Sequence, residues 1–157
     1  MSRSAVTDRL EGWLREAGVA FEILEHAPVR TSEEAARVRG TPLEIGAKAL
    51  VVRADDRFVH CVLPASLKAD NARLRALLGT RKLRFATPEE LERLTGCAPG
   101  AVPPFGNLFG LPVLVDAALC RNERVAFNAG SNAASISMRC DDLVRLAQAT
   151  VCEFSAA

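Results

Sequence analysis

The sequence predicts an α+β fold, with helices set around a curved sheet in a single compact domain spanning residues 1–157. Three observations carry this. Stretches with helix and strand periodicity interleave without the regular βαβ alternation of a doubly wound sheet. Hydrophobic residues fill 49% of 157 positions, which is enough for one real core in a chain too short for two ordinary domains. No repeat, low-complexity tract or linker interrupts the pattern.

Each element has a local reason. From Ser4 to Ala17 the residues Val6, Leu10, Trp13, Leu14 and Ala17 line one face of an amphipathic helix, which Gly18 ends. Phe21 to Leu24 reads as a short strand before a turn at His26-Ala27-Pro28. Thr31 with Glu34 three positions on has the capping-box pattern and opens a second helix. Gly46 to Arg53 and Phe58 to Leu63 are β-rich runs around the polar turn Ala54-Asp55-Asp56-Arg57, which predicts a hairpin. Asn71 to Leu78 suits a helix and Lys82 to Phe85 a strand. Thr87-Pro88-Glu89-Glu90 combines an N-cap, a first-position proline and acids in the first turn of a helix that stops at Gly96. Cys97 to Gly106 holds three prolines and two glycines and no period, so it predicts an ordered loop. Pro112 to Val115, Arg124 to Asn128 and Ser135 to Met138 follow as strands. Asp141 to Gln148 then reads as a helix and Thr150 to Phe154 as a last strand.

Composition narrows the function classes. Lys plus Arg total 20 against 19 Asp plus Glu, so any nucleic-acid contact is local rather than driven by net charge. The segment MSRSAVTDRLEGWL lacks the apolar run of a secretory signal, and no membrane-spanning stretch is visible, so the expectation is a soluble cytoplasmic protein. Five scattered cysteines without a Cys-x-x-Cys pair, and two histidines, argue against a metal site and for thiols packed as small hydrophobes.

The candidate site residues are few. Lys48 lies in an apolar strand-like run, where a lysine either reaches water or projects into a pocket. In the loop from Pro99 to Gly106, the residues Gly100, Pro103, Pro104, Phe105 and Gly106 are read either as a rigid pocket wall or as a stiff connection. After Asn128, the N–H groups of Gly130 and Ser131 suit an oxyanion, though the same residues form ordinary turns. His26 is the imidazole assigned to the site and His60 is given a structural role. Arg73, Arg75, Arg81, Lys82 and Arg84 fit either a phosphate seat or a solvated face.

Together, Gly46-Ala47-Lys48, the loop Gly96 to Gly106 and Phe127-Asn128-Ala129-Gly130-Ser131 resemble the YbaK family of editing domains, also found inserted in bacterial prolyl-tRNA synthetases. The resemblance runs from about Phe21 to the end. It implies a mixed, barrel-like β-sheet flanked by helices, and a cofactor-free hydrolase that cleaves the ester joining a wrong amino acid to the terminal adenosine of tRNA. It carries over Lys48 as the residue tied most closely to activity, with Gly100, Gly130 and Ser131 in the glycine loops of the pocket and His26 where members often have a histidine. The implied partners are the acceptor end of a mischarged tRNA and an aminoacyl-tRNA synthetase. Two other readings stand beside it: a tRNA-end-binding module without turnover, and a thiol-dependent hydrolase using Cys97 or Cys61.

Overall fold

The computed structural model describes residues 4–157, so the first three residues of the N-terminal segment read above lie outside it. In chain order the elements are α1 (Ala5–Glu16), β1 (Phe21–Glu25), α2 (Ser32–Arg39), β2 (Ala47–Ala54), β3 (Arg57–Pro64) and β4 (Lys68–Ala69). Then come α3 (Asn71–Leu78), β5 (Leu83–Phe85), α4 (Pro88–Thr95), β6 (Val113–Asp116) and β7 (Arg124–Asn128). The chain ends with β8 (Ala134–Arg139), α5 (Cys140–Leu146), β9 (Thr150–Cys152) and β10 (Ser155–Ala156).

Side-chain caps set most of the helix starts. Ser4, Thr31, Asp70 and Thr87 accept backbone N–H bonds ahead of α1 to α4. The box at Thr87 and Glu90 is reciprocal. At Thr31 it is displaced: Thr31 accepts from Glu34 N, but the Glu34 carboxylate reaches one residue further back, to Arg30 N at 3.0 Å. Gly40, Gly79 and Gly96 end α2, α3 and α4 in the left-handed region, where a Cβ would be strained.

The hairpin pairs all eight residues of β2 with β3, and Asp55 takes φ 56° in its turn. Around it grows a five-stranded mixed sheet in the order β5-β2-β3-β6-β9, with β6 and β9 parallel to β3. A second, antiparallel sheet runs β1-β8-β7, and β4 pairs with β10 as a short ribbon. The barrel-like closure implied by the resemblance is therefore corrected to three open sheets. The reason is that β1 and β7 both spend their ladders on β8, so only a single parallel bridge, Gly46 to Ala126, joins the second sheet to β2.

The main core fills the space between the two larger sheets under α1. It contains Leu10, Leu14, Val62, Val115, Phe127 and Ile136. Phe105 sits in it edge-on to Trp13 and Phe127, at ring separations of 5.2 and 5.7 Å. The opposite face of β3 places Val59, Cys61 and Leu63 against Leu74 of α3 and Phe154. A third cluster, including Leu91, Cys97, Ala101 and Val102, fixes the underside of the proline loop. Among the described residues no helix is long and apolar enough to cross a membrane.

Candidate active site

Where Gly46 bridges to Ala126 the two sheets meet, and beside that seam lies a cavity of about 220 Å³. α2 lines it with Thr31, Ala35 and Arg39, the start of β2 with Gly46 and Lys48, and the loops with Gly100, Asn128 and Asn132. A side chain at Gly46 would press on Ala65 Cβ and the Leu43 carbonyl, both 3.2 Å from its Cβ, so glycine lets these walls approach.

Lys48 is half-buried on this wall. Burial lowers the pKa of its ammonium, Lys68 lowers it further, and Glu33 opposes both. Two further cations line the cavity, the exposed Arg30 and the half-buried Arg39. Arg39, in the last turn of α2, donates from Nε to Ser135 Oγ at 2.8 Å and from Nη2 to Asn128 Oδ1 at 2.8 Å. It makes no ion pair among the described residues, and burial pushes its pKa down to about 10, which leaves it charged at neutral pH. Asn128 passes the contact on, donating from Nδ2 to the Gly100 carbonyl at 2.7 Å. Both ends of its amide are thus committed, and its role is to brace the Gly100 loop against Arg39.

His26 stands behind this chain rather than in the cavity. Its Nε2 meets Ser135 Oγ at 2.8 Å and its Nδ1 meets the Ala27 carbonyl at 2.9 Å. A carbonyl can only accept, which assigns a proton to Nδ1; Ser135 then accepts from Arg39 and donates to Nε2. Ser135, Arg39, Asn128 and Gly100 form one continuous polar chain with His26 at its rear, and of these Arg39, Asn128 and Gly100 line the cavity.

The remaining sequence candidates fall elsewhere. Pro103, Pro104, Phe105 and Gly106 are buried away from the cavity. The pocket-wall reading does not hold for Phe105: its ring is 0% exposed and fills the core. Gly106 is small because the His60 ring, Nδ1 foremost, occupies the space a side chain would need. Gly130 is corrected as an oxyanion donor, since its N–H is bound to the Ala101 carbonyl at 2.9 Å. Ser131 Oγ accepts from Ala133 N at 3.0 Å, as a turn serine does. Gly100 and Asn132 line the cavity, and their N–H groups take no part in the backbone hydrogen bonds that hold the loops.

A thiolate is not at hand. Cys61 is fully buried and its pKa is pushed up to about 12 by burial first and then by Cys152. Cys97 is buried under the loop, and burial raises its pKa as well. Neither lines the cavity. Among the described residues no three His, Cys, Asp or Glu side chains converge to hold a metal ion.

Arg39 is the residue that sequence reasoning missed. In the chain it is one of two arginines in the last turn of α2, where a basic residue suits the helix dipole without further use. Its partners lie 89 and 96 positions away.

A family model for the aminoacyl-tRNA editing domain matches residues 26–146, which contains the whole cavity. The chain belongs to the aminoacyl-tRNA editing domain family. Over 160 residues this editing domain is 34% identical to the multifunctional Ser/Thr-tRNA deacylase ProXp-y of Escherichia coli (strain K12), covering 98% of the chain and 96% of the relative. It is 28% identical to the prolyl-tRNA editing protein ProX of Acetoanaerobium sticklandii, over 91% of each. A crystal structure described as a proposed trans-editing enzyme for prolyl-tRNA synthetase superposes on the editing domain with a TM-score of 0.89 at 29% identity. That match covers 99% of this chain and 100% of the other.

Proposed function

We propose that this editing domain hydrolyses mischarged aminoacyl-tRNA, freeing the amino acid from the terminal adenosine. The observation that carries the reading is the meeting of two cations, Lys48 and Arg39, with the Gly100 loop in one small cavity of a chain that belongs to this family. Two positive charges without a carboxylate bridging them suit an anionic ligand, and a tRNA end brings a phosphodiester. Lys48 and the free Nη1 edge of Arg39 anchor that end.

The chemistry asks little of a protein nucleophile. An aminoacyl ester is already reactive, so holding a water against its carbonyl supplies much of the acceleration. Water adds to the carbonyl carbon, the bond to the ribose oxygen breaks, and that oxygen takes the proton the water gives up. The N–H groups of Gly100 and Asn132 are the donors suited to the developing oxyanion, in place of Gly130. A cavity of this size admits only the end of the substrate, as a second sieve for small amino acids requires. The reading includes cytoplasmic location and work alongside a synthetase.

Turnover of seryl-, threonyl-, alanyl- and cysteinyl-tRNA by the purified chain is the test. Lys48→Ala is expected to lower kcat/KM by about 1.5–3 kcal/mol, the scale of a hydrogen bond to a charged group, with the melting temperature unchanged. Full activity in that variant would remove Lys48 from the mechanism. Saturable tRNA binding without ester loss on every charged species would instead make the protein a binding module.

A further inference from the structure

The geometry points to a second binding surface: a shallow depression lined by Arg53, Arg75, Arg81, Lys82 and Arg84 that seats the phosphates of the tRNA acceptor stem. The inference rests on reading the cavity at Lys48 as the seat of the tRNA 3′ end.

Charge is concentrated there in a chain whose net charge is only +1. Arg84 is neutralised by Glu90, with which it makes two hydrogen bonds of 2.7 and 3.0 Å. Asp55 is the one acid in the lining, and its carboxylate already accepts from Lys82 N at 3.1 Å and from the Thr80 side chain. Arg53, Arg75, Arg81 and Lys82 form no ion pair among the described residues, which leaves four unpaired cations against the single carboxylate of Asp55 around one concavity. Leu83 is its only apolar member, so it lacks the buried aromatic or aliphatic anchor on which a protein partner would depend. Arginine forks match phosphate oxygens.

Position supplies the second argument. Lys48 and Arg53 stand five residues apart on β2, or about 17 Å at roughly 3.3 Å per residue, an odd spacing that turns their side chains to opposite faces, so a bound chain rounds the sheet edge between them. A stacked strand carries one phosphate per ~3.4 Å, so a chain whose last nucleotide lies at Lys48 brings its fifth or so to the depression. The unpaired 3′ end of a tRNA is about that long, and the duplex begins beyond it. The cavity at Lys48, near 220 Å³, is also below the ~300–1,000 Å³ of pockets that enclose a whole small ligand. The remainder of the substrate therefore runs over the surface, and these cations lie toward the far end of β2, within its reach.

Binding of uncharged tRNA and of the trinucleotide CCA is compared across a salt series for the wild type, Arg75→Gln/Arg81→Gln and Arg75→Lys/Arg81→Lys. Both arginines are exposed, so melting temperatures should agree. For the glutamine pair, tRNA binding is expected to weaken about fivefold per lost phosphate contact near 0.15 M salt, and the log–log salt slope to fall by about 0.9 per contact. CCA binding should stay unchanged, and the lysine pair should keep most of the affinity. Unaltered tRNA affinity and slope in the glutamine pair, a loss that extends equally to CCA, or a wild type that binds no tRNA would each overturn the assignment. A wild type that binds tRNA through these arginines yet releases no amino acid would keep this surface and defeat the hydrolytic reading alone.

Discussion

Arg39 keeps its charge half-buried by donating to Ser135 and Asn128, and through Asn128 it fixes the carbonyl of Gly100. One guanidinium thus spans a helix, two strands and a loop, which an ammonium cannot do because it lacks the planar fork. Arg39→Lys should therefore lower kcat/KM for a mischarged tRNA roughly 10- to 100-fold, on the scale of lost charged hydrogen bonds, while retaining the charge. Combined with Asn128→Ala the loss should be less than the sum, since both act on the same loop; additive losses in a double-mutant cycle would separate them. His60 is the opposite kind of residue. It is 0% exposed, neither ring nitrogen has a hydrogen-bond partner, and burial pushes its pKa down to about 4 from 6.5. Between those values the unfolded chain binds a proton that the folded one refuses, so stability falls as pH drops through this window, by about 3 kcal/mol in all. Urea unfolding of His60→Leu from pH 7 to 4 should show that slope removed, and a slope equal to the wild type's would acquit His60.

The glycine at 130 belongs to the contact between α1 and the loop after β7. Its φ is 88°, and a Cβ there would come 2.6 Å from Val6 Cγ1 and 3.2 Å from Thr7 N. The same contact holds Thr7 Oγ1 on the Ala129 carbonyl at 2.7 Å and Gly130 N on Ala101. Gly130→Ala should cost about 1–3 kcal/mol through the strained backbone, with further loss from the displaced helix. Denaturant midpoints measure it, and a midpoint equal to the wild type's would mean that α1 yields freely. Elements of this kind were well marked in the sequence, because caps, turn glycines and periodicity act over a few residues. α3 and β7 run over the stretches expected of them, and α4 starts and stops at Thr87 and Gly96. The ribbon of β4 with β10 carries no such mark, since two-residue strands separated by about half of the chain have no local period.

At the scale of the whole molecule the sequence is silent, beyond the β2–β3 hairpin, about which strands share a sheet, so the split between the two large sheets and the cavity at their seam follow from packing. The resemblance singled out Lys48 and Gly100, and both line the cavity. Arg39 was not, because its use depends on Ser135 and Asn128, and Phe105 was misplaced because a proline-rich loop advertises stiffness without saying which side faces inward. Asp116 is another residue whose role exists only in three dimensions. Nearly buried at the end of β6, its carboxylate accepts from Ala118 N, Phe154 N, Ser155 N and Ser155 Oγ at 2.8 to 2.9 Å, tying the C-terminal strand to the central sheet. Burial alone would raise its pKa, but these four donors outweigh it and the pKa is lowered. A carboxylate lowered in the fold stabilises it fully above the unfolded value of 3.8, and that contribution is lost as pH falls through the folded value. Acid unfolding should therefore come in two stretches, one above about pH 4 from His60 and one below it from Asp116. Asp116→Asn presents an amide to donors that need oxygen, so it should lose about 1.5–3 kcal/mol near neutral pH and approach the wild type in strong acid. A variant whose deficit stayed constant through the acid range would show that the four hydrogen bonds do not depend on the charge.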